Sequence, residues 1–251
     1  MKIRRTALLI ILALFSTLSL SAKERKVLVY TKNGEGYVHD NIAASVEALK
    51  KLGAENGFKV DVSDDPALFT DANLRKYDAL IFNNTNNDVF TNDEQRAAFK
   101  RYIQSGGGFV GIHSACGTER NWPWFWDMLG GKFVRHPAYQ KFTVRTIVTD
   151  HPSTAFLPAT WGWEDEAYYL SNLNPDITVL LAHDLSTIRD DEKDKYPGKV
   201  FGDLFPSAWC HEFDGGREWY TSYGHNPLHY QDPLFLKHLL GGIQWVMGVK
   251  K

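Results

Sequence analysis

The first third of the chain alternates short apolar runs with apolar residues at helical spacing. Lys26–Tyr30 is a β-rich run that predicts a strand, and the apolar positions over 42–52 recur as on one face of an amphipathic helix. Phe58–Val62 then alternates between apolar and polar residues, as a second strand does. The order strand, helix, strand predicts a βαβ unit with parallel strands.

The same order continues up to residue 129. Asp78–Asn83 and Phe109–Ile112 read as buried strands, and the helix between them begins where Thr91 and Glu94 have capping-box spacing. A further helix is predicted over Trp122–Leu129. Strands alternating with helices predict an α/β fold, a three-layer sandwich whose mostly parallel central sheet is covered on both faces.

The second half is richer in β-structure. Gln140–Val148 and Ile177–Ala182 predict two more strands, and Ser207–Tyr223 predicts a hairpin that turns at Asp214–Gly216. Asp232–Val249 predicts a closing amphipathic helix. The mature chain is therefore expected to form one domain.

The first 22 residues have the pattern of a secretory signal peptide. Lys2, Arg4 and Arg5 precede an apolar run over 7–20, and small residues follow it. We expect a signal peptide over 1–22, a mature domain over 23–251, and export across the inner membrane to the periplasm. The apolar run is too short for a spanning helix, so stable membrane insertion is not expected. An uncleaved anchor is the alternative.

Composition narrows the class of ligand. The formal net charge is −2, which provides no basic field for nucleic acid. Aromatic residues make up 14% of the chain and eight of them are Trp, more than a core usually needs, so aromatic platforms for a ligand are expected. Two cysteines are too few for a disulfide framework.

Three polar loops follow predicted strands: 33–39, 83–88 and 113–120. Ligands bind at the carboxyl ends of the strands in an open parallel sheet, so these loops should converge on a site. His113 follows its strand directly, and we expect a helix N-terminus after it to favour the neutral imidazole, which can accept a proton or bind a metal.

Several segments together resemble one family, the trehalose-utilisation (ThuA-like) proteins. They occur in family order from about residue 26 to 248: Gly36–His39, Gly106–Ala115, Asp150–Pro152, Asp165–Tyr168, Trp209–Arg217, Tyr220–His225 and Gly241–Gly248. The resemblance implies a fold like that of class I glutamine amidotransferases, which is flavodoxin-like.

The resemblance also excludes one activity. In the amidotransferases the corresponding strand delivers a nucleophilic cysteine, and here His113 stands at that position, with Cys116 three residues later. An imidazole cannot form the thioester of amidotransfer, so this chain is not expected to be an amidotransferase.

Candidate site residues follow from the loops and the resemblance together. Adjacent side chains of an extended segment point in opposite directions, so only one of Asp165 and Glu166 is expected to face a pocket, and Glu166 is preferred. The alternative, of equal weight, is that both are solvated surface carboxylates. The candidates for catalysis are His113, Glu166 and His211. Those for substrate binding are Tyr37, His39, Asn84, Ser114, Trp209, Arg217 and His225. His39 and His113 are candidate ligands of one divalent metal, to which His211, His225 and Glu166 could also contribute, and zinc, manganese or iron suits such donors.

These residues lead to a functional hypothesis. We expect an exported enzyme that acts on a glycoside or an oxidised (keto) sugar by His/Glu acid–base chemistry, with or without a metal, as a hydrolase, lyase or isomerase. The alternatives are a non-catalytic sugar-binding or accessory protein, and a redox protein that uses Cys116 and Cys210. The expected partner is a small carbohydrate.

Overall fold

The computed structural model describes residues 24–192 and 202–250, so the predicted signal peptide lies outside the described residues. The strands are β1 Arg25–Tyr30, β2 Phe58–Ser63, β3 Ala79–Asn83, β4 Gly108–Ile112, β5 Lys132–Arg135, β6 Gln140–Thr146, β7 Thr160–Asp165, β8 Tyr169–Ser171, β9 Thr178–Asp184, β10 Leu204–Phe213 and β11 Gly216–Thr221. The α-helices are α1 Ile42–Asn56, α2 Asp71–Leu74, α3 Asp93–Gln104, α4 Pro123–Leu129 and α5 Pro233–Val246.

A nine-stranded sheet organises the molecule, in the order β2-β1-β3-β4-β11-β10-β9-β6-β7. The first five of these strands run parallel, and the other four alternate in direction. Strands β5 and β8 form a separate antiparallel pair. The predicted α/β fold with a mostly parallel central sheet is confirmed.

Alternation along the central strands divides the core between the two faces of the sheet. Val27 and Val29 of β1 pack in one fully buried cluster with Leu49 of α1 and Ile243 of α5. Leu28 and Tyr30, which point the other way, belong to a second cluster with residues from α3 and α4, including Phe99 and Phe125. Helices therefore cover both faces, as the βαβ pattern predicts.

The start of α3 differs from the prediction by one residue. The Asn92 side chain accepts a hydrogen bond from the Gln95 N–H (3.0 Å), and the Gln95 side chain accepts one from the Thr91 N–H (2.8 Å). The cap is thus Asn92 rather than Thr91, because an Asn oxygen at this position reaches the N–H three residues on.

The predicted hairpin forms, and its register decides which residues can reach the carboxyl edge of the sheet. Strand β11 pairs in parallel with β4, with Thr221 opposite Ile112 at the carboxyl end and Arg217 opposite Gly108 at the other. His211 of β10 pairs with Glu218, towards the same far end. In the part of the chain that the structure describes, no helix is long and apolar enough to cross a membrane.

Candidate metal centre and its pocket

A cavity of about 390 Å³ opens at the carboxyl ends of the central strands. The three loops predicted to converge do meet there, and the segments after β5, β7 and β11 close the other sides. The lining residues are Tyr37, His39, Asn86, Ser114, Gly117, Arg120, Phe133, His136, Glu166, Tyr168 and His225. The volume is in the range of small-molecule sites.

His113 forms the buried floor of this pocket. It is the first residue after β4, is fully buried, and has a φ of 52°, which is uncommon for a residue other than glycine. Its Nδ1 lies 2.7 Å from the Ser222 carbonyl oxygen, so Nδ1 carries the proton and donates it. The Nε2 lone pair therefore faces the pocket, where the Tyr168 hydroxyl donates to it over 2.8 Å.

The neutral state of His113 has a different cause from the one expected. Residues His113–Gly117 form a short 3-10 helix, not the start of an α-helix. Burial, followed by the proximity of His39, holds the pKa of His113 well below its usual value. The predicted neutral imidazole thus arises from desolvation and not from a helix dipole.

Four donor atoms converge above this floor. His39 Nε2 lies 3.1 Å from His113 Nε2, and Glu166 Oε2 lies 3.6 Å from the same nitrogen. His225 Nδ1 is 3.3 Å from Glu166 Oε2. The four ligand atoms all lie within 4.8 Å of one another. The structure therefore joins three of the four candidate histidines to Glu166 and leaves His211 out.

The charges of these groups suit a cation. Burial, then His225, lowers the pKa of His39 to about 4, so this ring is neutral at pH 7. Burial raises the pKa of Glu166, but His225, His136 and His39 outweigh it and the net shift is downward, which keeps the carboxylate ionised. The Glu166 carboxylate raises the pKa of His225, whose Nδ1 nevertheless has no well-aligned hydrogen bond in the described structure.

The separation of two of these donors matches a site for a divalent first-row metal. Two atoms that each lie about 2.1 Å from a common ion are roughly 3.0–3.4 Å apart, which is the separation of the two Nε2 atoms. Ser222 orients the His113 ring through its carbonyl, and Ser114 Oγ lies 3.3 Å from His39 Nδ1. Such outer contacts are typical of metal-binding histidines. Imidazole and carboxylate ligands suit zinc, manganese or iron.

Asp165 holds the backbone beside two of the four converging residues, Glu166 and His225. It is fully buried, and its carboxylate accepts hydrogen bonds from the backbone N–H of Glu166 (2.8 Å) and of Gly224 (2.9 Å). Since Gly224 directly precedes His225, the Asp165 carboxylate fixes the backbone at Glu166 and next to His225. The preference for Glu166 as the pocket residue agrees with this placement.

Six of the sequence-predicted site residues come together in space. They are Tyr37, His39, His113, Ser114, Glu166 and His225. Tyr37 stands at the rim with 61% of its surface exposed, and its ring meets His39 edge-on at 4.8 Å. An exposed aromatic ring beside polar donors is the arrangement expected for a sugar.

Four other predicted residues lie elsewhere. The Trp209 indole is fully buried and donates to the Leu129 carbonyl, and His211 Nε2 lies 2.7 Å from the Met128 carbonyl. Arg217 is at the opposite end of the sheet, where it contacts Glu212 and the Trp245 ring. Asn84 is buried in a network with Asn41 and Tyr230. The hairpin register and the core explain why none of them lines the cavity.

Other lining residues were missed from the sequence. Asn86 and Arg120 lie within two of the loops that were expected to converge, so their positions carried a signal. His136 and Phe133 follow α4, and nothing in the sequence pattern marks them as pocket residues, because only tertiary packing brings this segment over the pocket. Tyr168 lies in one of the family-like segments, and its hydroxyl donates to His113 at the pocket floor.

Both cysteines are free and buried. Burial raises the pKa of Cys116 to about 12 and that of Cys210 to about 12. Neither thiol is a ready nucleophile, so the structure gives no support to the redox alternative.

The mostly parallel sheet, with a sharp turn at His113 directly after β4, places this chain among the α/β proteins with a glutamine amidotransferase-like fold. The chain belongs to the ThuA family, described as trehalose utilisation, whose model matches residues 26–246. A ThuA-like protein from Bacteroides uniformis is 25% identical with a TM-score of 0.70, covering 92% of this chain and 94% of that one. A ThuA-like protein from Parabacteroides merdae is 19% identical with a TM-score of 0.71, covering 91% of each chain.

More distant structures share the fold only. A GMP synthase component from Thermoplasma acidophilum is 13% identical with a TM-score of 0.50, covering 89% of this chain and 96% of that one. No curated protein matches the chain. The family recognised from the sequence segments and its fold are thereby confirmed.

Proposed function

We propose that this protein is an exported carbohydrate-processing enzyme that acts on a glycoside or an oxidised (keto) sugar at a metal-assisted His/Glu site. The observation that carries the proposal is the convergence of His39, His113, His225 and Glu166 within 4.8 Å in the cavity. The family's description as trehalose utilisation supports a carbohydrate substrate. Export rests on the signal-peptide pattern of residues 1–22.

The four converging side chains hold the ion in this proposal. A bound divalent metal would act as a Lewis acid that polarises a sugar carbonyl or hydroxyl oxygen. The Ser222 carbonyl keeps the proton of His113 on Nδ1, so the Nε2 lone pair, which accepts from the Tyr168 hydroxyl in this structure, would bind the ion in place of that hydrogen bond. Because the His113 ring is fully buried, its position is fixed before substrate arrives.

His136 is the residue we assign to proton transfer. Its Nε2 lies 3.5 Å from Glu166 Oε1, on the opposite carboxylate oxygen from the one that faces His113 and His225. It lines the cavity and is not one of the four converging donors; its Nδ1 bonds the Pro137 carbonyl (2.8 Å), so Nε2 is the nitrogen we assign to proton transfer. A carbonyl acidifies the neighbouring C–H, so a keto sugar would give such a base a proton to remove.

Tyr168 would offer the substrate a second polar contact once an ion takes the place of its hydrogen bond to His113. Its ring stacks on His136 with an interplanar angle of 24°, and its hydroxyl points at His113 Nε2. Burial holds the pKa of Tyr168 well above its usual value, so the hydroxyl stays protonated and acts as a donor.

The test is turnover with and without metal. Purified protein is stripped with a chelator, reloaded with zinc, manganese or iron(II), and incubated with trehalose, glucosides and their keto derivatives, with products followed by NMR. We expect turnover that requires metal and that falls about 10²- to 10⁴-fold in His136→Gln, which keeps its metal. Arg217→Gln, at the far edge of the sheet, is the matched control. Turnover that survives both chelation and His136→Gln would contradict the proposal.

A non-catalytic sugar-binding protein is the second candidate, and the exposed Tyr37 ring at the pocket rim favours it. This function predicts saturable sugar binding without product. Tyr37→Ala would then weaken binding more than His136→Gln does.

A further inference from the structure

Arg120 brings a positive charge into the cavity, and no acidic side chain of the described residues pairs with it. Its Nε donates to the Gly117 carbonyl (3.0 Å), and an Nη donates to Asn86 Oδ1 (3.1 Å). Its guanidinium carbon stands 5.3 Å from the centre of the Phe133 ring. These partners are dipoles and a ring face; among residues 24–192 and 202–250, Arg120 forms no ion pair.

The loop that carries Arg120 is held rigidly from below. The neighbouring Glu119 is 2% exposed and accepts hydrogen bonds from the backbone N–H groups of Val89 (2.9 Å) and Phe90 (3.1 Å). Its other carboxylate oxygen pairs with Arg96 at 2.7 Å. The Glu119 charge is therefore engaged away from Arg120, and the guanidinium is placed in advance for a ligand.

The acidic residue that lines the cavity, Glu166, is also engaged. The Glu166 carboxylate lies 3.6 Å from His113, 3.5 Å from His136 and 3.3 Å from His225. A partly buried guanidinium that meets only dipoles has lost hydration without gaining a counter-ion. Its planar fork matches a carboxylate, which accepts two parallel hydrogen bonds.

We propose that Arg120 binds a carboxylate of the substrate, so that the sugar processed here is a sugar acid, such as a uronate or its glycoside. The inference rests on the proposed function and narrows its substrate class. Arg120 then determines specificity, while the cluster of His39, His113, His225 and Glu166 acts on another part of the same molecule.

Binding of matched sugars tests this. Zinc-loaded protein is titrated calorimetrically with glucose, glucuronate and glucose 6-phosphate at fixed ionic strength. We expect glucuronate to bind at least about tenfold more tightly than the other two sugars. Arg120→Gln should remove this preference while leaving glucose affinity within about twofold, and Arg120→Lys should restore part of it. Arg217→Gln is the control, with all affinities unchanged.

The outcomes separate the two claims. If glucose binds or is turned over as well as glucuronate, or if Arg120→Gln weakens both equally, Arg120 is a hydroxyl clamp and the inference fails while the proposed function stands. Preference for the phosphate also overturns it. If no sugar binds to the folded, metal-loaded protein, both claims fail. Circular dichroism of each variant establishes that a loss of binding is not a loss of fold.

Discussion

Two buried histidine groups lie in this molecule, and they differ in where their nitrogens point. In the pocket group, His39 and His113 turn Nε2 atoms towards each other at 3.1 Å. In the second group, His238 of α5 is bonded to the Ser153 carbonyl (2.9 Å) and faces Thr221 Oγ1 (3.3 Å), while His151 Nδ1 bonds Ser153 Oγ (2.8 Å).

Burial alone does not tell the two groups apart. It lowers the pKa of His39, of His151 and of His238 to about 4 in each case. The second group links the 150–154 segment to β11 and α5: both nitrogens of His238 and Nδ1 of His151 meet carbonyls or hydroxyls of the fold, and His151 Nε2 has no hydrogen-bond partner among the described residues. Only in the pocket group do unprotonated nitrogens and a carboxylate converge on one point of a cavity, among the residues that the structure describes. Convergent lone pairs, rather than shifted pKa values, are what mark a site here.

The largest expected effect is the loss of metal binding in His113→Asn. Asn tolerates the positive φ at this position, so the variant tests the ligand and not the backbone. Removing one of four ligands should weaken zinc affinity by at least about 100-fold, measured by calorimetry on chelator-treated protein. His238→Gln should bind zinc as the wild type does. Equal affinity in His113→Asn and wild type would remove His113 from the site.

The second group should instead control stability in acid. The pKa of His238 is about 4 in the folded state and near 6.5 when unfolded, so the unfolded chain takes up its proton first as the pH falls. The contribution of the neutral ring is complete above about pH 6.5 and is lost as the pH falls towards 4.

His238→Gln should therefore flatten the pH dependence of the free energy of unfolding, by about 1.4 kcal/mol per pH unit within that window. Urea unfolding between pH 4.5 and 7.5 measures it. Thr221→Val removes the contact to His238 Nε2 without removing the ring, and should leave the slope unchanged. An unaltered slope in His238→Gln would show that this ring is not held neutral.

A smaller effect is expected from a pocket residue that contacts one of the proposed ligands. Ser114 Oγ lies 3.3 Å from His39 Nδ1 and orients that ring. Ser114→Ala should weaken zinc affinity about tenfold, by calorimetry, because outer contacts of metal ligands contribute at that level. Ser153→Ala, the matched change in the second group, should leave the affinity within error. A reversed pattern would mean that the groups have been assigned the wrong roles.

The smallest effect is expected from Arg217, at the end of the strands that lies opposite the cavity. Arg217 pairs with Glu212 at 3.6 Å and is remote from the cavity. Arg217→Gln should change zinc affinity by less than twofold and the free energy of unfolding by less than about 0.5 kcal/mol, since exposed ion pairs contribute little. A larger loss of zinc affinity would restore Arg217 to the site.

The same contrast explains how far the sequence could be interpreted. Periodicity located the strands and helices of the first half to within a few residues, since each buries one face on its neighbours. It also placed His39 and His113 together, because both follow parallel strands. The prediction that His211 and Arg217 belong to the same site was wrong, since the pattern of a hairpin does not say at which end of the strands its turn lies. His136 entered the pocket through packing of β5 alone, which has no local signature.

The claim that three histidines and Glu166 hold one metal is tested most directly by crystallography of zinc-soaked protein, with anomalous data at the zinc edge. We predict one strong anomalous peak about 2.0–2.2 Å from His39 Nε2, His113 Nε2, His225 Nδ1 and a Glu166 oxygen. A map of well-ordered, zinc-saturated protein with no peak in this cavity, or with zinc bound only at surface histidines, would contradict it.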